Sequence, residues 1–256
     1  MQTNKNLVNC REDGTHLAIV MRDMVKRTTA TKTVAAVRQI PYSAKRCRAK
    51  FLHYFPDGFQ DESYIAWERE HKERANIRWS EDLSRREFQR LLIAGQFDEI
   101  ARRAIRIESR TNLLFSFEKM ALRDAIRSPA AVREFSQGLF DFLEGKASVR
   151  TRFNRWVEVV SKLPAKKSRV FTWPVATVFG FVARPGLHYF MKPTITQRAA
   201  KAYGVDILYT ARPTWNSYQS VLFFCQNVMR DLRDLHPRDM IDIQSFLCVQ
   251  GSDDYP

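Results

Sequence analysis

Apolar and polar residues alternate with a period near 3.6 along most of the chain from residue 62 onward, which is the spacing of amphipathic α-helices. The clearest apolar stripe has steps of four and three positions and consists of Val149, Phe153, Trp156, Val160 and Leu163. Ser84 and Ser128–Pro129 are typical of helix starts, and Gly95 is typical of a helix end. The pattern therefore predicts a mainly α-helical protein.

The same signals give approximate extents for the helices. They are predicted at 63–79, 84–94, 97–108, 112–127, 129–144, 149–163, 173–181, 194–203, 214–235 and 238–250. Segment 173–181 is strongly apolar, so we interpret it as a buried helix capped by Thr172, although a buried strand also fits its length. On the helix predicted at 112–127, the apolar residues Leu113, Phe117 and Met120 share one stripe.

Two short segments in the last third have the composition of strands, namely His188–Met191 and Asp206–Tyr209. They flank the helix predicted at 194–203 and could pair with each other. The predicted fold class is a multi-helix globular assembly with a small two- or three-stranded β element in the C-terminal third.

The 256 residues allow one large domain or two small ones. Residues 1–35 are basic, rich in Thr and weakly periodic, so we expect a disordered tail, or else an overextended translation start with Met21 or Met24 nearer the true beginning. Residues 36–256 are predicted to form a single helical domain with a possible boundary near 164–168. The longest apolar run, Val170–Ala183, falls short of the ~20 residues that cross a bilayer, and we expect a cytoplasmic protein that does not span a membrane.

The net charge of +14 is unevenly distributed along the chain. Residues 1–60 carry a net charge of +7 and residues 129–170 carry +5, whereas the other two segments are each close to neutral. The densest stretch runs from Arg22 to Lys50 and includes Asp23 as its one acidic residue. Two basic segments are therefore candidates for binding an anionic partner.

Aromatic residues interleave with the first basic segment, a combination that nucleic-acid surfaces use for base stacking and phosphate contacts. Those aromatics are Tyr42, Phe51, His53, Tyr54, Phe55 and Phe59. The candidate nucleic-acid-binding residues are Lys45, Arg46, Arg48, Lys50, Arg150, Arg152, Arg155, Lys166, Lys167 and Arg169. If the two segments meet in space, they form one basic stripe; if they lie on opposite faces, they only keep the protein soluble. Neighbouring cations also suggest a lowered thiol pKa, and hence reactivity, for Cys47, beside the alternative of a simple structural cysteine.

Five polar residues are candidates for a second kind of site, a carboxylate-containing cleft: Glu108, Arg110, Glu118, Asp239 and Asp242. Asp239 and Asp242 lie three positions apart on a predicted helix, so both can face the same side. Each group also has a structural interpretation. Glu108 and Arg110 can belong to an interhelical cap network, Glu118 can form a salt bridge with Lys119 that is turned outward, and the two Asp residues can complement a helix dipole. No phosphate-binding glycine loop and no zinc-ligand spacing is present, so we expect neither a cofactor nor a metal.

The stretches Ile40–Phe51 and Arg238–Phe246 resemble an uncharacterised bacterial protein family, and the resemblance extends from about residue 36 to the end. It implies a soluble bacterial cytoplasmic protein and transfers no activity. The leading hypothesis is a protein that binds nucleic acid or another polyanion through its basic segments. The alternatives are an enzyme of unknown class that uses the carboxylate cleft and a module that binds another protein. The sequence leaves the oligomeric state open.

Overall fold

The computed structural model describes residues 42–164 and 169–256. The predicted tail at 1–35 and most of the possible boundary near 164–168 lie outside the described residues. Eleven α-helices of more than one turn are present in the part that is described. They are α1 (Tyr42–Tyr54), α2 (Glu70–Asp82), α3 (Arg85–Ile93), α4 (Phe97–Ser109), α5 (Ser116–Ala125), α6 (Pro129–Glu144), α7 (Val149–Lys162), α8 (Trp173–Ala183), α9 (Pro193–Tyr203), α10 (Trp215–Asp231) and α11 (Met240–Gly251). The prediction of a mainly helical protein is confirmed.

The helix α8 lies at the centre of the larger group of helices. It packs against α2, α4, α6 and α7, and all of its residues except Ala183 are buried. Its sequence contains no polar face. The hydroxyl of Thr177 is buried, and it donates a hydrogen bond to the backbone oxygen of Trp173. Thr172 caps α8 as predicted, since its hydroxyl accepts a hydrogen bond from the amide of Val175. The helical interpretation of segment 173–181 is therefore correct.

The helices α1, α9 and α11 pack against one another and form a second group. Gly251 allows the close approach of α11 to α9, because a Cβ atom at that position would lie 2.2 Å from the backbone oxygen of Ile195. At the other end of α9, Gly204 adopts a left-handed conformation with φ of 76° and ends the helix as predicted. Gly204 also contacts Ser43, whose hydroxyl donates to the backbone oxygen of Tyr203 at 2.8 Å. The end of α9 is thus fixed to the start of α1.

The predicted β element is wrong, since residues 42–164 and 169–256 contain no strand. The segment His188–Met191 is buried, but two of its amides donate to side chains on helices, and the amide of His188 donates to the backbone oxygen of Arg184. The amide of Tyr189 donates to the Tyr218 hydroxyl at 3.0 Å, and the amide of Met191 donates to the Thr177 hydroxyl at 3.1 Å. In the other segment, the amide of Leu208 donates to Ser220. Side chains satisfy these donors, so a sheet is not needed.

Several helix boundaries differ from the predicted ones. The segment predicted at 63–79 contains a π-helical turn at Ile65–Arg69 before α2. The helix predicted from Thr194 starts at Pro193, and its N-cap residue, Lys192, makes no side-chain capping bond. The helix predicted at 112–127 starts only at Ser116, because Lys119 holds the preceding connection by donating to the backbone oxygens of Ser109 and Thr111.

Candidate functional site

The first basic segment lies on α1, where its cations divide into two sets. Lys45 and Arg46 are exposed, and neither forms an ion pair with another described residue. Arg48 is paired with Asp234 at 2.8 Å. Lys50 donates to the backbone oxygen of Tyr255 at 2.5 Å. Of the four predicted residues on this helix, two therefore have a full positive charge open to a ligand, and two contact the fold.

The aromatic residues of this region do not form the stacking surface that the sequence suggests. Phe51, Phe55 and Phe59 are fully buried and pack around the ring of Tyr64. Phe51 lies on the face of α1 that packs against α11, where its ring contacts Phe246, and Phe55 and Phe59 follow the end of the helix. Of the predicted aromatic residues, Tyr42 at the start of α1 is 82 % exposed, and His53 near its end is exposed and contacts Tyr54.

The residues of the second basic segment differ in their exposure and in their roles. Arg152 is buried, and its guanidinium donates to the backbone oxygens of Phe142, Leu143 and Ala147. It closes the C-terminal end of α6, so it is not part of a surface. Arg150, Arg155 and Arg169 are exposed, and Arg155 lies 3.4 Å from Asp141. Lys166 and Lys167 lie outside the described residues.

The second basic segment, which lies mainly on α7, does not pack beside α1. The helix α7 packs against α6, α8 and α10, whereas α1 packs against α9 and α11. The cations beside α1 are those of α9, Arg198 and Lys201, which are exposed on one face of that helix. Lys201 forms no ion pair with any described residue, and Arg198 is paired with the highly exposed Asp253 at 2.8 Å.

A groove of about 460 Å³ lies at the C-terminal end of α11 and is bordered by one residue of α1 and one of α9. Lys50 of α1 and Arg198 of α9 line it together with Gln250, Ser252 and Asp253. The cations Lys45, Arg46, Lys50, Arg198 and Lys201 form what we call the α1/α9 surface. Arg198 and Lys201 are not among the binding residues predicted from the sequence, although both lie opposite the apolar residues Ala199 and Ala200 on a predicted helix. Their position on the polar side of that helix was the available signal.

The two aspartates of the predicted cleft belong to a buried ionic network. Asp239 caps α11 by accepting hydrogen bonds from the amides of Ile241 and Asp242, as its structural interpretation requires. Asp242 is fully buried and accepts hydrogen bonds from the Tyr64 hydroxyl at 2.6 Å, from Arg69 at 2.8 Å and from Arg238. Burial would raise the pKa of Asp242, but the hydrogen bonds from Arg238 and Tyr64 hold that pKa below its ordinary value.

The two glutamates lie in a different cluster. Glu108 is buried, burial raises its pKa to about 7, and the Lys119 ammonium lies 3.7 Å from its Oε1 atom. Glu118 caps α5 by accepting a hydrogen bond from the amide of Phe115 at 3.0 Å, and burial raises its pKa as well. Arg110 is exposed at the end of α4. Glu108 and Glu118 thus flank the connection between α4 and α5, as the cap-network alternative suggests, whereas the Arg110 side chain contacts no described residue by a hydrogen bond or an ion pair. Glu118 is buried rather than turned outward, and Lys119 lies beside Glu108 instead of pairing with Glu118.

The five residues of the predicted cleft therefore lie in two places. No hydrogen bond or ion pair of the described chain joins the Glu108 and Glu118 cluster to the Asp239 and Asp242 network. Burial raises the pKa of Cys47, contrary to the lowered pKa that its basic neighbours suggest. Among residues 42–164 and 169–256, no group of three His, Cys, Asp or Glu side chains gathers as a metal site would require.

A larger cleft, of about 580 Å³, lies between α3 and α4 and has balanced charge. Its four arginines face four acidic residues, and Arg103 pairs with both Glu87 at 3.0 Å and Glu99 at 2.6 Å. Three of the four arginines are already paired with these acids. The α1/α9 surface has one paired cation, Arg198, and three exposed ones without an acidic partner among the described residues, so it attracts an anionic ligand more strongly.

Within the described parts of the chain, no helix has both the length and the apolar character needed to cross a bilayer. Comparisons of the chain with family models, with curated proteins and with solved structures found no match.

Proposed function

We propose that this protein binds nucleic acid or another polyanion through the α1/α9 surface. The observation that supports this proposal is that Lys50 of α1 and Arg198 of α9 line one groove, while Lys45, Arg46 and Lys201 on the same two helices are exposed and have no acidic partner among the described residues. Each such cation can neutralise one phosphate and release its counterion, which is the main source of affinity for nucleic acid.

The sequence next to this surface adds to the proposal. The basic stretch that begins at Arg22 continues into α1 and ends at Lys50. In the sequence, further basic residues therefore precede α1. We place this function in the cytoplasm of a bacterium, and the free thiols of Cys47, Cys225 and Cys248 fit a reducing compartment.

The proposal predicts a strong salt dependence of binding that depends on particular residues. The logarithm of the affinity for a labelled oligonucleotide should fall with the logarithm of the salt concentration, by ~0.7–0.9 for each phosphate contacted. Replacing Lys45, Arg46 and Lys201 by Glu should weaken binding and flatten this slope, because three phosphate contacts are lost. Fluorescence anisotropy of the full-length chain between about 50 and 200 mM salt measures both quantities.

A matched control changes the same amount of charge elsewhere on the surface. The triple substitution Arg150→Glu, Arg155→Glu and Arg169→Glu alters exposed residues of the second basic segment. This control variant should keep most of the affinity for the oligonucleotide and most of the dependence of that affinity on salt concentration. Equal losses in the two triple variants would mean that binding follows net charge alone and would contradict the α1/α9 surface. Absence of binding at low salt would contradict the function itself.

A further inference from the structure

Two exposed aromatic sites lie at opposite ends of α9. At its start, the ammonium of Lys192 lies over the ring of Phe115, 5.3 Å from the ring centroid. At its end, Gly204 and Tyr203 contact Ser43, the residue next to Tyr42. The 11 residues of α9 separate these sites by about 17 Å along the helix axis.

The first aromatic site is a stacked pair of rings. Phe115 and Phe117 are 56 % and 54 % exposed, and their rings are nearly parallel, with 12° between the planes and 5.7 Å between the centroids. Met120, one turn further along α5, is 59 % exposed. The helix prediction at 112–127 had grouped Phe117 and Met120 with the buried Leu113. The later start of α5 instead leaves them as an exposed apolar surface, a feature that usually marks a binding site.

The second aromatic site is Tyr42, the most exposed large apolar side chain among the described residues. It lies on α1 three and four positions before the unpaired cations Lys45 and Arg46. Residues at these spacings are neighbours on a helix surface. An aromatic ring and two free positive charges therefore stand side by side at the end of α9.

The helix between the two aromatic sites exposes a polar and basic face. Thr194, Arg198 and Lys201 are exposed and lie four and three positions apart, so they follow one line along α9. At the start of α9, the N-cap residue Lys192 lies over the ring of Phe115. Ring, cation and ring are thus arranged in sequence along one helix.

We infer that the ligand of this surface is a single-stranded nucleic acid that lies along α9 and stacks bases on Phe117 and Tyr42. This inference rests on the proposed function and specifies its ligand. A matching partner must carry regular negative charge between flat apolar groups, and a single strand has both because its bases are unpaired. At ~3.4 Å per nucleotide, the rise of a fully stacked strand, the separation of the two sites corresponds to at most about five nucleotides, and an extended strand spans it with fewer.

Other partners match only part of this arrangement. A duplex offers the phosphates but keeps the faces of its bases stacked inside, so it can use the cations of α9 and not the rings. An anionic membrane or an acidic protein could cover Phe115 and Phe117. Neither requires a second aromatic site about 17 Å away with cations in between.

The test compares single-stranded DNA and RNA with a duplex of the same sequence, with heparin, with poly-glutamate and with vesicles that contain phosphatidylserine. We expect the single strands to bind most tightly and the affinity to rise with length up to about five nucleotides and more slowly beyond. Phe117→Ala and Tyr42→Ala should each weaken single-strand binding by about 5- to 100-fold and leave duplex and heparin binding nearly unchanged.

Matched variants separate stacking from other effects. Tyr42→Phe keeps the ring and should bind as the unmodified chain does, and Ile93→Ala removes an exposed apolar side chain on α3 without effect on binding. Equal binding of single strand, duplex and heparin, or unchanged binding by both alanine variants, would overturn the inference. Preference for vesicles or poly-glutamate would overturn it as well. If the alanine variants are neutral but the Lys45, Arg46 and Lys201 variant is impaired, only this inference fails and the proposed function stands.

Discussion

At the scale of single residues, Glu108 shows how its surroundings determine the chemistry of a side chain. In the sequence it is one carboxylate among several between two helices. In the structure it is buried, no described residue donates a hydrogen bond to its Oε1 atom, and burial raises its pKa to about 7. The nearby Lys119 ammonium, at 3.7 Å, lowers that pKa but does not cancel the effect of burial.

The raised pKa of Glu108 predicts a pH dependence of stability. The folded chain holds this proton to a higher pH than the unfolded chain, so Glu108 lowers the free energy of unfolding as the pH rises from about 4.5 to about 7. Glu108→Gln removes this loss. The free energy of unfolding of the variant, minus that of the unmodified chain, should therefore be about 1 to 3 kcal/mol larger at pH 8 than at pH 5. Urea denaturation at both pH values measures it. The exposed Glu158→Gln is the control, and an equal change in both variants would refute the prediction.

At the scale of elements, the segment at 188–191 shows why strand composition is not sufficient for a strand. Its residues favour β structure, and they are buried as a strand in a core would be. The Tyr218 hydroxyl of α10 nevertheless accepts a hydrogen bond from the amide of Tyr189 at 3.0 Å and donates one to its backbone oxygen at 3.2 Å. One buried side chain thus takes the place of a neighbouring strand.

Removing that hydroxyl should destabilise the protein without changing its shape. Tyr218→Phe leaves the amide and the backbone oxygen of Tyr189 buried and unpaired, so we expect a loss of about 1 to 3 kcal/mol in the free energy of unfolding. Chemical denaturation followed by tryptophan fluorescence gives the value. Tyr42→Phe removes a hydroxyl from a residue that is 82 % exposed and should have little effect. Similar losses in both variants would count against the role assigned to Tyr218.

At the scale of the whole molecule, a buried ionic network joins distant parts of the chain. Arg69, in the π-helical turn before α2, donates to Asp239 at 3.0 Å and to Asp242 at 2.8 Å, across about 170 positions of sequence. One turn along, Lys72 is buried and donates to Glu68 and to Ser245 of α11. The start and the end of the described chain are held together by charges rather than by apolar contacts alone.

Breaking this network should be costly for the whole fold. Asp242→Asn removes a buried negative charge and leaves Arg69 and Arg238 without their shared partner, so we expect the free energy of unfolding to fall by about 3 to 5 kcal/mol. The matched control is Asp234→Asn on the exposed pair with Arg48, for which about 0 to 1 kcal/mol is expected. Denaturant titration of both variants decides the matter, and comparable losses would show that the buried network does not stabilise the fold more than a surface pair does.

Much of the fold follows from patterns that are local in the sequence. The stripe on α7, the caps Ser84, Ser128 and Thr172, and the left-handed glycines at the ends of α3 and α9 all behave as predicted, because hydrogen bonding and side-chain spacing within one helix depend on nearby residues. The basic character of α1 is equally visible from its sequence.

Only the tertiary structure could decide which residues meet. The sequence alone determined ten of the eleven described helices, most of their end signals and the basic residues of α1, but it did not predict α1 as a helix. It could not pair α1 with α9, distribute the five polar residues between two clusters, bury Phe51 and expose Phe117, or replace a strand with the hydroxyl of Tyr218. The reason is physical: a helix is fixed by hydrogen bonds four residues apart, whereas the surroundings of a charge or a ring are set by groups far away in the chain.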